Sequence, residues 1–158
     1  MKFQVNIRLA LIALWVMVGA CNPVLADPPP ASSIPRTNLI QPADLAALIG
    51  RVTARKPLIL QVGFRTLYAQ AHIPGSEYVG AASEDEGLRS LHDRVAMLPK
   101  DSAIVIYCGC CPWSRCPNVG RAFAELRGLG FNKVKVLYIA EDFGTDWVNK
   151  GYPVTKGS

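Results

Sequence analysis

The chain has no run of basic residues, no basic patch interleaved with aromatics and no internal repeat. The first two absences argue against a nucleic-acid surface, which needs clustered Lys and Arg facing phosphates. The third excludes a repeat array. Histidine is scarce as well: His72 sits in a Pro- and Gly-punctuated turn and reads as a locally hydrogen-bonded turn residue, not a base, and His92 reads as a solvated residue on a helix face. The formal charge of +5 shrinks on inspection, because Lys2 and Arg8 belong to a leader and their removal leaves 15 basic against 12 acidic residues. Such a balance describes a mixed, solvated surface.

What is present begins with that leader. Met1 to Arg8 carries two cations and no acid, Leu9 to Ala20 is apolar, and small residues follow, which reads as a signal peptide over 1–26. The chain is therefore expected to be exported, to the periplasm or an equivalent compartment. The apolar stretch is too short for a comfortable membrane span. Two processing routes compete. Val18-Gly-Ala-Cys21 resembles a lipoprotein box, which would lipidate Cys21 and tether the protein to a membrane. Val24-Leu-Ala26 before Asp27 resembles an ordinary cleavage site and is favoured, because Asp27-Pro-Pro-Pro makes a clean extended start. The Pro- and Ser-rich composition over 27–37 predicts an extended, unpacked linker, and the remaining 38–158 suffices for one domain with a real core.

Within that domain, short helices alternate with apolar runs. Pro42 to Ile49 carries Pro in its first turn and Gly50 after its end, as a short helix does. Pro57 to Val62, Ile104 to Tyr107 and Val134 to Ile139 read as buried strands, with Glu77 to Val79 a further short one. Helices are predicted over Ser83 to Met97 and Asn118 to Leu129, with a turn of helix at Arg65 to Gln70 and a terminal one over Asp142 to Lys150 that buries Trp147. This alternation predicts an α/β domain of three layers, a mostly parallel central sheet flanked by helices.

The chemistry concentrates after the Ile104 to Tyr107 run. Tyr107 leads into Cys108-Gly-Cys110-Cys111-Pro-Trp-Ser-Arg115-Cys116, so four of the five cysteines share one loop between a strand end and a helix start. Ligand sites in open α/β sheets lie at that position, and loop amides together with the helix dipole favour a thiolate there. Arg115 is expected to add a positive charge. Gly109, Trp113, Ser114 and Arg115 are expected to line the substrate site, with Trp113 at its mouth. Two alternatives concern the same thiols. Paired disulfides suit an exported domain, but the tight spacing disfavours two unstrained bridges. Zinc or copper could use Cys108, Cys110, Cys111 and Cys116, but a strand, loop and helix suit an anion cradle better, so no metal or other cofactor is expected.

Leu58-Ile-Leu-Gln-Val62, then Ala71-His-Ile-Pro-Gly-Ser76, Ile104-Val-Ile-Tyr-Cys108, Leu126-Arg-Gly-Leu-Gly-Phe131 and Trp147-Val-Asn-Lys-Gly-Tyr-Pro-Val154, in that order, resemble the rhodanese-like (sulfurtransferase) domain over roughly Asn38 to Val154. The resemblance implies a single such domain whose cysteine accepts sulfane sulfur as a persulfide from a small donor and passes it to a thiol or other thiophilic acceptor. It implies Cys108 as nucleophile, because Tyr107-Cys108 matches the family's strand frame. Cys110 is the rival, since Arg115 stands at the fifth position after it, as in many loops of the family. Cys111 and Cys116, with Cys110, are candidates to resolve a persulfide or form a disulfide with Cys108. Two departures stand out: the interval from Cys108 to Gly130 is long, and Gln61 and Gly63 replace an acid and an arginine common in the family. Three functions are thus open: a sulfurtransferase, a thiol-disulfide or sulfur-carrier protein, and a non-catalytic binding module.

Overall fold

The computed structural model describes residues 29–52 and 55–157. The leader, Cys21 and both processing sites lie outside these residues. Five short strands form one sheet: β1 (Leu39–Ile40), β2 (Leu58–Gln61), β3 (Glu77–Tyr78), β4 (Ile104–Tyr107) and β5 (Val134–Leu137). Their order is β1-β5-β4-β2-β3 and every pairing is parallel. The helices between them are α1 (Pro42–Gly50), α2 (Arg65–Gln70), α3 (Asp85–Val95) and α4 (Pro117–Gly128). The expected α/β architecture is thus observed.

The apolar runs bury both faces because successive strand side chains point to opposite sides. In β4, Ile104 and Ile106 join the core beneath α3 and α4, whereas Val105 and Tyr107 join the core beneath α1 and the C-terminal segment. Cys108 continues the first alternation, so its side chain faces the α4 side. Trp147 is fully buried on the other side, as expected, in a single π-helical turn (Gly144–Val148). Its ring stacks on Phe143 at 5.8 Å and its Nε1 donates to the Pro153 carbonyl at 2.8 Å. His72 is likewise a turn residue, with Nδ1 at 2.8 Å from the Tyr68 carbonyl and its ring stacked on Tyr68. His92 lies on the exposed surface of α3.

The expectation of an unpacked linker is corrected for residues 29–37. A 3-10 turn at Ala31–Ser33 holds this segment against α4, leaving Ala31 1% and Ile34 5% exposed, and a second at Arg36–Asn38 is fixed to β5, where Asn38 Nδ2 donates to the Val134 carbonyl at 2.9 Å. Local composition favours extension, but apolar burial against a helix outweighs it. The fit requires Gly120, because a Cβ there would lie 2.0 Å from the Pro29 carbonyl oxygen. Gly120→Ala is therefore expected to dislodge the segment and cost about 2–3 kcal/mol, on the scale of one buried Ile. A lower denaturant midpoint with new proteolysis near Ile34 is the expected readout, and an unchanged midpoint would contradict the packing.

Candidate active site

β2 and β4 end side by side, with Gln61 opposite Tyr107, so the loops that follow them meet at one edge of the sheet. A cavity of about 280 Å³ opens there, lined by Cys108, Cys110, Gly109, Gln61, Asp142 and Phe143 among others. Gly109 makes the turn between the two cysteines. Its φ is +73°, in the left-handed region that glycine adopts without strain, and a Cβ would lie 2.6 Å from that of Phe143. The Phe143 N–H donates to the Gly109 carbonyl at 3.1 Å, fixing the loop to the wall of the cavity.

That turn folds two sulfurs together. Cys108 Sγ donates to Cys110 Sγ at 3.0 Å, and Cys111 Sγ lies 3.1 Å from Cys110 Sγ on another side. Cys116, the N-cap residue of α4, completes the group. All four are free thiols, in line with the spacing that disfavours two unstrained bridges. Cys108 and Cys116 are 3% and 6% exposed, whereas Cys110 is half-buried and open to the cavity.

Asn118 joins the thiols to the rest of the fold. It is 0% exposed. Its Nδ2 donates to Cys108 Sγ at 3.3 Å and points to Cys110 Sγ at 3.7 Å, while its Oδ1 accepts from the Ser83 N–H at 2.8 Å. Arg121, one turn further along α4, donates to the Ser83 carbonyl at 2.7 Å and so pins the same residue. The donors reaching the sulfurs of Cys108 and Cys110 are therefore side chains, where the sequence led us to expect a ring of loop amides.

This arrangement separates the thiols electrostatically. Cys110 is held well below the ordinary thiol range because Cys108, Cys116, Cys111 and Asn118 all donate to it, against a desolvation cost. Cys108 is pushed far up, first by donating to Cys110, then by its contact with Cys116 and by burial. Cys111 is raised by burial and by donation to Cys110. At Cys116 the Cys108 contact favours the thiolate, but hydrogen bonding to Cys110 and burial outweigh it, along with the N–H groups of Val119 and Asn118. The directions of these shifts favour Cys110 over the other three thiols as the one that ionises.

The other expected site residues divide. Gly109 lines the cavity. Ser114 and Arg115 are exposed on a 3-10 turn (Trp113–Arg115) and do not line it. Arg115 is exposed and outside the cavity lining, and what it places near the thiols is its carbonyl oxygen, 3.7 Å from Cys111 Sγ. Trp113, expected at the mouth, packs on Tyr138 at 5.1 Å over a separate groove shared with Ile34 and Leu39. Asn118 was legible only as the start of a helix; the signal available was an amide side chain in a first helical turn directly after a cysteine-rich loop.

Tyr107 supports the floor of the site. Its hydroxyl lies 3.0 Å from Ser76 Oγ and accepts from the Ile73 N–H at 3.3 Å, and burial pushes its pKa up to about 12, so it stays neutral. Tyr107→Phe leaves buried partners unsatisfied and is expected to cost about 1–3 kcal/mol in an equilibrium denaturation. A loss below that range would show that the two hydrogen bonds are replaceable.

A family model described as the rhodanese-like domain matches residues 41–138. Among solved structures, the BH2092 protein from Bacillus halodurans is 23% identical over 75% of this chain and 76% of that one, with a TM-score of 0.57. The rhodanese-like domain of an Anabaena protein is 21% identical over 75% of this chain and 79% of that one, with a TM-score of 0.55. A thiosulfate sulfurtransferase from Pseudomonas aeruginosa is 26% identical over 78% of this chain, with a TM-score of 0.54, and the match covers 20% of that chain. No curated protein matches.

Proposed function

Because the chain belongs to the rhodanese-like domain family, we propose that it is an exported single-domain sulfurtransferase that carries sulfane sulfur as a persulfide on Cys110. The observation that carries this reading is the convergence of the Cys108, Cys111 and Asn118 donors on the one half-buried sulfur that opens into the cavity. A thiolate is the attacking species in sulfur exchange. The Cys110 thiolate attacks the outer sulfur of a donor persulfide; the new S–S bond forms as the donor's own S–S bond breaks, and the donor leaves as its thiolate. An acceptor thiolate then attacks the outer sulfur on Cys110, leaves as a persulfide and regenerates the Cys110 thiolate. No oxidant or cofactor is consumed. Cys108, at the strand position the family resemblance favours, serves here as the buried proton donor to Cys110.

The cavity also bears on the donor. It carries one carboxylate, Asp142, and no cationic side chain. An inorganic dianion such as thiosulfate would enter without a counter-charge, so small organic persulfides are the favoured donors. The reduced protein exposed to an organic persulfide is expected to gain one sulfur atom that cyanide releases as thiocyanate, with thiosulfate a poorer donor. A folded protein that gains no sulfur from either would leave the binding-module function.

A second reading rests on the 3.0 Å approach of Cys108 to Cys110. Cys108, once deprotonated, can attack the inner sulfur of a Cys110 persulfide, forming a Cys108–Cys110 disulfide and releasing hydrogensulfide. Loss of two hydrogens from the loop, in place of the gain of one sulfur, is the mass signature of that route.

A further inference from the structure

Cys116 has no covalent part in the transfer step, yet its buried sulfur lies against that of Cys110, which carries the persulfide, and that of Cys108, which donates to it. The Sγ atoms of Cys108, Cys110 and Cys116 all lie within 4.8 Å of one another, although they come from the end of β4, the loop and the N-cap of α4. We propose that these three cysteines form a three-coordinate thiolate site for a soft monovalent ion, Cu(I). A metal–thiolate bond of ~2.3 Å sets the sulfurs of a trigonal site about 4 Å apart. The trio is close to that spacing, with the 3.0 Å Cys108–Cys110 pair opening as the ion enters.

The donor set selects the ion. Thiolates favour Cu(I), whereas a thiolate zinc site is almost always tetrahedral. Among the described residues no imidazole or carboxylate joins the group. Cys111, the remaining thiol, lies 3.1 Å from the Cys110 sulfur but does not come within 4.8 Å of all three, and so lies outside the trio. The buried Asn118 amide, already donating to two of the three sulfurs, supplies the outer donor that holds thiolate ligands in place. Binding exchanges thiol protons for the ion, and with copper supplied as Cu(I) no electron is transferred. The ion and a persulfide need the same Cys110 sulfur, so each excludes the other.

The test is an anaerobic titration of the reduced protein against Cu(I) held by bicinchoninate, followed by X-ray absorption at the copper edge. One equivalent of copper should leave the chelator, with sulfur neighbours alone at ~2.3 Å. Cys116→Ser keeps a good helix cap and is expected to weaken binding at least ~100-fold, whereas Cys111→Ser should bind as the parent does. Copper-loaded protein should also fail to gain sulfur from an organic persulfide. The assignment is overturned if folded, reduced protein withdraws no copper, if Cys116→Ser binds equally well, or if Cys111→Ser weakens binding and marks a four-sulfur site. Sulfur loading of the metal-free parent is measured in parallel: loading without copper binding sinks the metal site alone, and copper binding without loading sinks the transferase alone.

Discussion

Cys110→Ala is expected to lower the rate of sulfur loading by at least ~10³-fold, the scale of losing a nucleophile, while Cys108→Ala keeps most of it at neutral pH. The asymmetry follows from where the charge sits. Removing Cys110 removes both the thiolate and the more exposed of the two sulfurs that line the cavity. Removing Cys108 deletes one of several donors to Cys110, and a hydrogen bond to a charged group contributes about 1.5–3 kcal/mol. Cys110 starts well below the ordinary thiol range, so losing one donor raises it and still leaves it ionised at neutral pH. The sign is therefore specific: the Cys108→Ala protein should lose activity on the acid side, where protonation now reaches Cys110, and not on the alkaline side. Loading rates across a pH series, with circular dichroism to verify the fold, check this. A protein inactivated by Cys108→Ala and not by Cys110→Ala would return the nucleophile to the strand-end cysteine.

Asn118→Asp is expected to slow loading ~100-fold or more at neutral pH. The substitution keeps an oxygen to accept the Ser83 N–H, so the link to the preceding segment survives. It removes the amide donor and places a carboxylate where Nδ2 stood, 3.7 Å from Cys110 Sγ. Two unit charges at that distance repel by about 4 kcal/mol at an effective dielectric constant of 20. A like charge disfavours the thiolate and raises the pKa of Cys110, so reactivity should recover as pH increases. Asn118→Leu, which deletes the donor without adding charge, should give the smaller defect. Equal rates in all three proteins would show that Asn118 is merely structural.

The parts of this molecule legible in its sequence are those fixed by short-range rules. β2, β4 and β5 announce themselves as apolar runs because both faces of a central parallel strand are buried. α1 and α4 begin at Pro42 and Pro117, where proline costs nothing in a first turn. The segment from 29 to 37 was not legible, since the burial of Ala31 and Ile34 depends on Gly120, far away in sequence. The same limit applies to the site. Four cysteines in a loop identify where the chemistry is, but which sulfur holds the charge depends on how Gly109 turns and where Asn118 points. Arg115 and Trp113 were misplaced for the same reason: position in the loop does not say on which side of a proline turn a side chain emerges.

The departures from the family pattern also acquire a physical reading. Gln61 accepts from the Gly63 N–H at 3.1 Å and donates to the Cys108 carbonyl at 3.4 Å, so an amide ties the end of β2 to the thiol loop where an acid would be common. Gly63 leaves room for the thiol: a Cβ there would lie 2.8 Å from Cys108 Sγ. An arginine and this buried cysteine could not both occupy that corner unchanged.

If Cys110 holds the negative charge of the cluster, its alkylation rate by iodoacetamide as a function of pH, resolved by peptide mass spectrometry, reads that charge at the sulfur itself. Cys110 should be labelled first, at a rate nearly constant from about pH 8 down to about pH 5, because a thiolate so stabilised is not protonated in that range. Labelling that begins at Cys108, or a Cys110 rate that falls about tenfold for each pH unit below the ordinary thiol pKa, would contradict it.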